Sequence, residues 1–427
     1  MPSQPQGASR FHIFSWTLFD FANTAFYVII LTVAYPLYFK EIVVRGSGNG
    51  DFLWGATFSA SMLVVALLSP ILGAAADQGA GKKRFLLIFT LLCVFSTSGL
   101  FFVGEGMILW AMLLVVLANI GFEAGLVFYD AFLPELTTPA SYGRVSGYGF
   151  AMGYVGSLTT LLVAFPLLRG GLVPENLLNV RASFVLAAGL FLVFSLPLFL
   201  FLRDRQVTGR LRLEFIRGGI QQVKTTFNGF KKYRNVGRFL LAYFLYADAI
   251  NTVIIFSSIF ARQTLQFDLQ EIVFLFAIIQ TSAMIGAALL GIAADRFGQK
   301  RTLSGVLVLW LLIVVAAFFV EDKTAFFIVG ALAGIALGSS QSTSRSLMAL
   351  ISPQEKKTEF FGFYSFFGKA SAILGPLVFG VVSSLATQRA AILSIGAFFL
   401  VGLIILRNVE EKPFTENPEH IPTIVRS

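Results

Sequence analysis

Six ionisable side chains stand inside long apolar stretches of this chain: Asp20, Glu123, Asp130, Asp248, Arg345 and Lys369. A charge at the centre of a bilayer costs about 3 kcal/mol or more, so such groups pair with one another, face a water-filled cavity or handle ions. Their surroundings repeat. Asp20, Asn23 and Thr24 return 228 positions later as Asp248, Asn251 and Thr252. Asn119, Glu123 and Asp130 share one helical face by their four- and seven-residue spacings, and Gln341 and Arg345 lie four apart. Four acids and two bases of this kind suit non-covalent recognition and proton handling. A carboxylate meets an amine or carries a proton, and Arg345 and Lys369 meet a carboxylate. The competing reading is that these groups pair only to hold helices together, most plainly for Asp130 and Arg345 near their helix ends.

A second doubled pattern lies at the ends of apolar stretches. Gly73 and Asp77 precede Lys82, Lys83 and Arg84, and Gly291 and Asp295 precede Arg296, Lys300 and Arg301. An acid at a helix end can dock on the N-terminus of a neighbouring helix and be released when a bundle rocks. Simple anchoring by the basic cluster is the plainer alternative. Gly147 and Gly153 correspond to Gly362 and Gly368 at a constant offset of 215. Such glycines permit close helix approach.

The elements that must position these residues follow from hydropathy. Of 427 residues, 56% are hydrophobic and 13% charged, and the mean hydropathy is +0.79. A soluble chain of this length has too much polar surface to cover for such a composition. With roughly 20 residues per crossing, the apolar runs predict twelve transmembrane helices. The first six lie near 12–39, 53–76, 85–103, 107–133, 143–168 and 182–202. The second six lie near 237–262, 271–294, 302–320, 324–350, 359–386 and 389–407. The expected organisation is an N-terminal six-helix bundle over 1–202, a linker over 203–236, a C-terminal bundle over 237–407 and a tail over 408–427.

Basic residues divide 24 to seven between the two sides, with Lys369 inside a helix. That bias predicts cytoplasmic termini and linker. It also accounts for the net charge of +9 without nucleic acid. The single Cys93 excludes an intramolecular disulfide framework, and the two histidines, His12 and His420, lie in the tails. No metal site, catalytic residue or cofactor is expected. In the linker, Leu213, Ile216, Ile220, Val223, Phe227 and Phe230 recur at three- and four-residue steps with Arg217, Lys224, Lys231 and Lys232 elsewhere. This predicts an amphipathic helix on the membrane surface, a tether between bundles or a regulatory element.

The loop from Gly291 to Arg301 resembles the signature loop of the major facilitator superfamily. Several longer stretches resemble its vacuole-effluxer branch, autophagy-related protein twenty-two and bacterial relatives. They are WTLFDFANTAF at 16–26, FYDAFLPE at 128–135, GRVSGYG at 143–149, QSTSRSL at 341–347, EFFGFY at 359–364 and GKASAILGP at 368–376. The chain departs from that pattern at Phe21, Asp130 and Ala249. The resemblance implies an all-α major-facilitator fold, two pseudo-symmetric six-helix bundles around a central cavity, and transport of a small solute, amino acids among the candidates. The location it implies is the inner membrane of a bacterium.

Together these readings predict a secondary transporter, not an enzyme, working as a monomer by alternating access. Its expected partners are a small polar solute, such as an amino acid or short peptide, protons and the lipid bilayer. Asp20, Asn23, Glu123, Asp130, Asp248, Asn251, Gln341, Arg345 and Lys369 form the expected pathway. Asp77, Lys82, Lys83, Arg84, Asp295, Arg296, Lys300 and Arg301 form the expected gates. A lipid or amphiphile exporter on the same scaffold is the alternative, and a membrane-embedded enzyme is weaker still.

Overall fold

A computed structural model describes residues 9–45, 50–204, 213–371 and 374–414, and His420 lies outside them. It is nearly all helix. Among the described residues, eleven helices are long and apolar enough to cross a bilayer: Arg10–Val43, Gly50–Ala80, Lys82–Phe102, Ile108–Leu136, Pro139–Leu168, Pro174–Phe201, Lys231–Arg262, Gln270–Phe297, Gln299–Phe319, Lys323–Ile351 and Gln388–Arg407. These are the first to tenth spans and the twelfth. The eleventh is described over Lys357–Ala370 and Leu374–Leu385. Neither piece alone reaches the roughly 20 residues a crossing needs, but together they do. Several helices start earlier than hydropathy predicts. The seventh, for example, runs through Lys231, Lys232, Arg234 and Arg238, whose charged heads sit at its polar end.

The two bundles meet in a pseudo-symmetric pair of crossings, the second span against the eleventh and the fifth against the eighth. A side chain at Gly73 would overlap the Thr358 carbonyl, and one at Gly291 would come 2.6 Å from the Gly143 carbonyl. One turn further in, a side chain at Gly362 would overlap the Ser69 carbonyl, and one at Gly147 the Ala287 carbonyl. Glycine is thus required where backbones touch backbones. These crossings, at the ends nearest the linker, bring the halves into contact on what we term the linker-side face.

The first span departs from a straight helix. In it, Ala34 N–H donates to Ile29 O at 3.0 Å and Thr32 Oγ1 to Tyr27 O at 3.0 Å. These five-residue steps widen the helix just before Pro36, which has no N–H to donate. In the eleventh, Asp248 from the seventh span fully buries its side chain and accepts from Gly375 N–H at 2.7 Å. Asp248 thus ties a backbone N–H of the eleventh span to the seventh.

The linker helix, Leu213–Asn228, does not lie only on the membrane surface. It packs on the second span, where a side chain at Gly219 would come 2.6 Å from Ile71 O. The predicted apolar stripe is divided. Ile216 and Val223 are half-buried, whereas Ile220 and Phe227 are 39% and 70% exposed. Gly219 and Thr226, buried residues seven apart, mark the seated face instead. The side chains of Leu213 and Phe230 lie outside the described residues.

Candidate functional site

Arg345 is the centre of the polar interior. It is 1% exposed, and its guanidinium donates from Nε to Ser146 Oγ at 2.9 Å and from Nη2 to Ser146 O at 2.8 Å. Nη1 donates to Asp130 Oδ1 at 2.9 Å and approaches Asp20 Oδ2 at 3.4 Å. Three aromatic rings surround it, with centroids 4.0 Å (Phe150), 4.9 Å (Trp16) and 5.6 Å (Tyr129) from the guanidinium carbon. Tyr129 in turn donates to Asp20 Oδ2 at 2.7 Å, and Trp16 Nε1 donates to Tyr129 O at 3.0 Å. Arg is suited to this position because its planar fork serves two acids and stacks on rings at once. Room for the cluster depends on Gly149, where a side chain would sit 2.6 Å from both Arg345 Nη2 and Asp20 Oδ2.

Asp130 and Arg345 are 215 residues apart, the offset that relates the fourth and fifth spans to the tenth and eleventh. Symmetry-equivalent positions touch each other only beside the symmetry axis. The ion pair therefore marks the pseudo-two-fold, with acid on one half and base on the other.

The other predicted pathway residues distribute around this centre. Asn23 Nδ2 reaches Asp20 Oδ1 at 3.5 Å, and Gln341 Oε1 accepts from Tyr154 at 2.7 Å across the bundle interface. Glu123 and Lys369 form a separate ion pair between the fourth and eleventh spans, with side chains 7% and 25% exposed. Asn251 Nδ2 approaches Ser371 Oγ at 3.4 Å, beside the Asp248 contact.

A cavity of about 370 Å³ opens on the far side of the Arg345 cluster from the linker-side face. Asp20, Asn23, Asp130, Gln341 and Arg345 line its floor, joined by Tyr154. The first, fourth, seventh and tenth spans contribute as expected, but the fifth, eighth, ninth and twelfth do too. The eleventh contributes Phe379, not Lys369. Glu123, Lys369, Asp248 and Asn251 lie outside the lining.

The gate-loop acids make matching contacts. Asp77 accepts from Thr358 N–H at 3.2 Å and Glu359 N–H at 2.8 Å, at the start of the eleventh span. Asp295 accepts from Gly143 N–H at 2.7 Å and Arg144 N–H at 3.0 Å, at the start of the regular helix of the fifth. Each carboxylate thus satisfies otherwise unpaired N–H groups at a helix end in the opposite bundle. Lys82, Lys83 and Lys300 bond within their own halves. Lys82 is 2% exposed, donating to Ala131 O and pairing with Glu135 at 2.5 Å. Lys83 Nζ donates to Leu202 O at 2.5 Å and Lys300 Nζ to Arg407 O at 2.7 Å. Arg84 borders a groove with Arg203 and Asp204, Arg296 stacks on Phe297, and Arg301 is exposed.

Sequence reasoning missed the groups that hold Arg345: Ser146, Tyr129, Trp16 and Phe150. Trp16 and Tyr129 fell inside quoted motifs without a role. With 47 phenylalanines in the chain, no single ring stands out.

A nearly all-helical chain of two pseudo-symmetric six-helix bundles, joined at one face by paired acid clamps, is a major facilitator superfamily transporter. It belongs to the family described as "Vacuole effluxer Atg22 like", whose model matches residues 54–413. The chain is 30% identical to the MFS-type transporter YxiO of Bacillus subtilis over 94% of its own length and 95% of that protein. It is 24% identical to a multi-drug resistance efflux pump PmrA homolog of Lactococcus lactis, over 86% of this chain and 87% of that one. Among solved structures it resembles the major facilitator transporter FucP, with a TM-score of 0.76, 13% identity, and coverage of 94% and 100%. Such proteins are secondary transporters, not enzymes.

Proposed function

We propose that this protein moves a small organic solute across a bacterial inner membrane by alternating access, coupled to protons, with termini and linker in the cytoplasm. The carrying observation is the arrangement of cavity and seal. The solute-sized cavity ends on Asp20, Asp130 and Arg345, and immediately beyond them the halves are joined by Ser146, the glycine crossings and the two acid clamps. Opening the cytoplasmic face requires Arg345 in the C-terminal half to part from Asp20, Asp130 and Ser146 in the N-terminal half. Parting leaves each carboxylate without its counter-charge inside the membrane, and a bound proton or a cationic solute supplies it, which couples the motion to a proton. Asn23, Gln341 and Tyr154 supply hydrogen-bond partners to the solute. The Glu123–Lys369 pair also crosses the halves and must break or shift in the same motion. Asp248 and Asn251 hold the eleventh span to the seventh through Gly375 N–H and Ser371 Oγ.

The extensive apolar wall lends support to export of amphiphiles over free amino acids, and the pump-like relative points the same way. The test is transport by purified protein in liposomes under an imposed pH gradient. Metabolite pools and drug-like amines are supplied as solutes. Accumulation should follow the gradient and vanish in Asp130→Asn and Asp20→Asn. Gradient-independent flux in the wild type, or undiminished flux in both variants, overturns the coupling assignment.

A further inference from the structure

We infer that the preferred occupant of the central cavity is an amphipathic organic cation, an amine or onium head on an apolar, ring-bearing body. This rests on the reading of that cavity as the solute pathway and specifies its chemistry. The charged residues in its lining are Asp20, Asp130 and Arg345, two acids to one base, a formal surplus of one negative charge when all are ionised.

Accessibility increases that bias. The Arg345 side chain is 1% exposed, whereas those of Asp20 and Asp130 are 10% and 18% exposed. Nε and Nη2 of Arg345 are taken by Ser146, and Nη1 by the two acids. Its faces are covered by Phe150 and Trp16. An arriving solute therefore meets carboxylate oxygens first, while a solute carboxylate finds four of the five guanidinium N–H donors already engaged and a surplus of like charge. Lys369, the other base with which an anionic group could be held, is paired with Glu123 and lies outside the lining.

The rest of the wall selects the body. Above the floor the cavity is bounded mainly by aliphatic and aromatic side chains, among them Phe122, Phe256, Phe276, Trp310 and Phe379. Apolar surface removed from water against such walls contributes about 25 cal/mol per Å², and ring faces attract a cation that a strongly hydrated ion could not profit from. A small hydrophilic solute leaves most of this wall unused.

The test compares two ions of the same shape and opposite charge, tetraphenylphosphonium and tetraphenylborate. Binding to wild-type protein in lipid nanodiscs is measured with empty nanodiscs as background. The expected result is saturable, one-to-one binding of the cation, at least tenfold tighter than any binding of the anion. Asp130→Asn should weaken it tenfold or more, and Asp51→Asn, exposed in the first turn of the second span and outside the cavity lining, should not alter it. Equal or tighter binding of the anion, no saturable binding of either, or unchanged cation affinity in folded Asp130→Asn overturns the inference. If Asp130→Asn does not fold, the cation–anion comparison on the wild type decides alone. Liposome flux separates this from the transporter reading. A cation that binds but is not moved refutes transport and leaves the inference standing. A transported zwitterion with no cation site refutes the inference and leaves transport standing.

Discussion

Replacing Asp77 or Asp295 with alanine should open the linker-side face without unfolding the protein. Each carboxylate accepts two backbone N–H bonds from the opposite bundle, at 2.8 and 3.2 Å for Asp77 and at 2.7 and 3.0 Å for Asp295. A hydrogen bond to a charged group is worth roughly 1.5 kcal/mol or more net of solvation. Two therefore favour the closed arrangement by about 3 kcal/mol, close to a 100-fold change in the closed-to-open ratio. The clamps lie on separate helix pairs, the second with the eleventh and the eighth with the fifth, so the two losses should add. Helix packing within each bundle is untouched, which is why the predicted change is in conformation. Spin labels at Thr138→Cys and Phe297→Cys, exposed positions on opposite halves of this face, report the distance by double electron–electron resonance. Cys93 is fully buried and does not compete for label. Single variants should add a longer distance population and the double variant should make it dominant. If the distance distribution of the double variant matched the wild type, the clamps would not hold the seal, and the glycine crossings alone would have to.

Three other perturbations separate structure from transport. Gly149→Ala places a methyl 2.6 Å from both Arg345 Nη2 and Asp20 Oδ2; overpacking of about 1–3 kcal/mol should lower the unfolding temperature of purified protein, and an unchanged melt would show that the cluster is loosely held. Glu123→Gln and Lys369→Met should each destabilise more than the pair does together, with a coupling of about 1–2 kcal/mol in a double-mutant melting cycle; strict additivity would show that the pair contributes nothing in this state. Gly219→Leu should unseat the linker helix from the second span, because its new side chain meets Ile71 O. Limited trypsin digestion would then cut faster at Arg217 and Lys224, and an unaltered rate would place the helix elsewhere.

The linker contact bears on the gate as well. Gln222 accepts from Gln78 Nε2 at 3.0 Å and donates to Glu359 Oε2 at 2.7 Å. Gln78 and Glu359 adjoin the Asp77 clamp on either side of the bundle interface, and Lys356 donates to the buried Thr226 hydroxyl at 2.9 Å. The amphipathic pattern identified a helix here. It could not show that the helix seats by glycine contact, because Gly218 and Gly219 carry no hydrophobic signal and read locally as weak helix formers.

Helix positions were legible because a bilayer imposes one strong requirement, a sustained apolar run, and the twelve predicted spans overlie the observed ones. The bond from Gly375 N–H to Asp248 was not, since the two residues lie over a hundred positions apart and nothing local to either names the other. The duplicated Asp-x-x-Asn-Thr motif suggested equal roles for Asp20 and Asp248. In three dimensions one meets an arginine and a tyrosine, the other the Gly375 backbone N–H, because the halves present different partners at equivalent places. The offset of 215 aligned Asp130 with Arg345 as a break in symmetry. What an offset lacks is distance from the axis. Far from the axis an acid and a base so aligned would be isolated charges in hydrocarbon, each costing about 3 kcal/mol. On the axis the same substitution converts a like-charge clash between symmetry mates into an ion pair, and that pair must part whenever the halves rotate about the cavity.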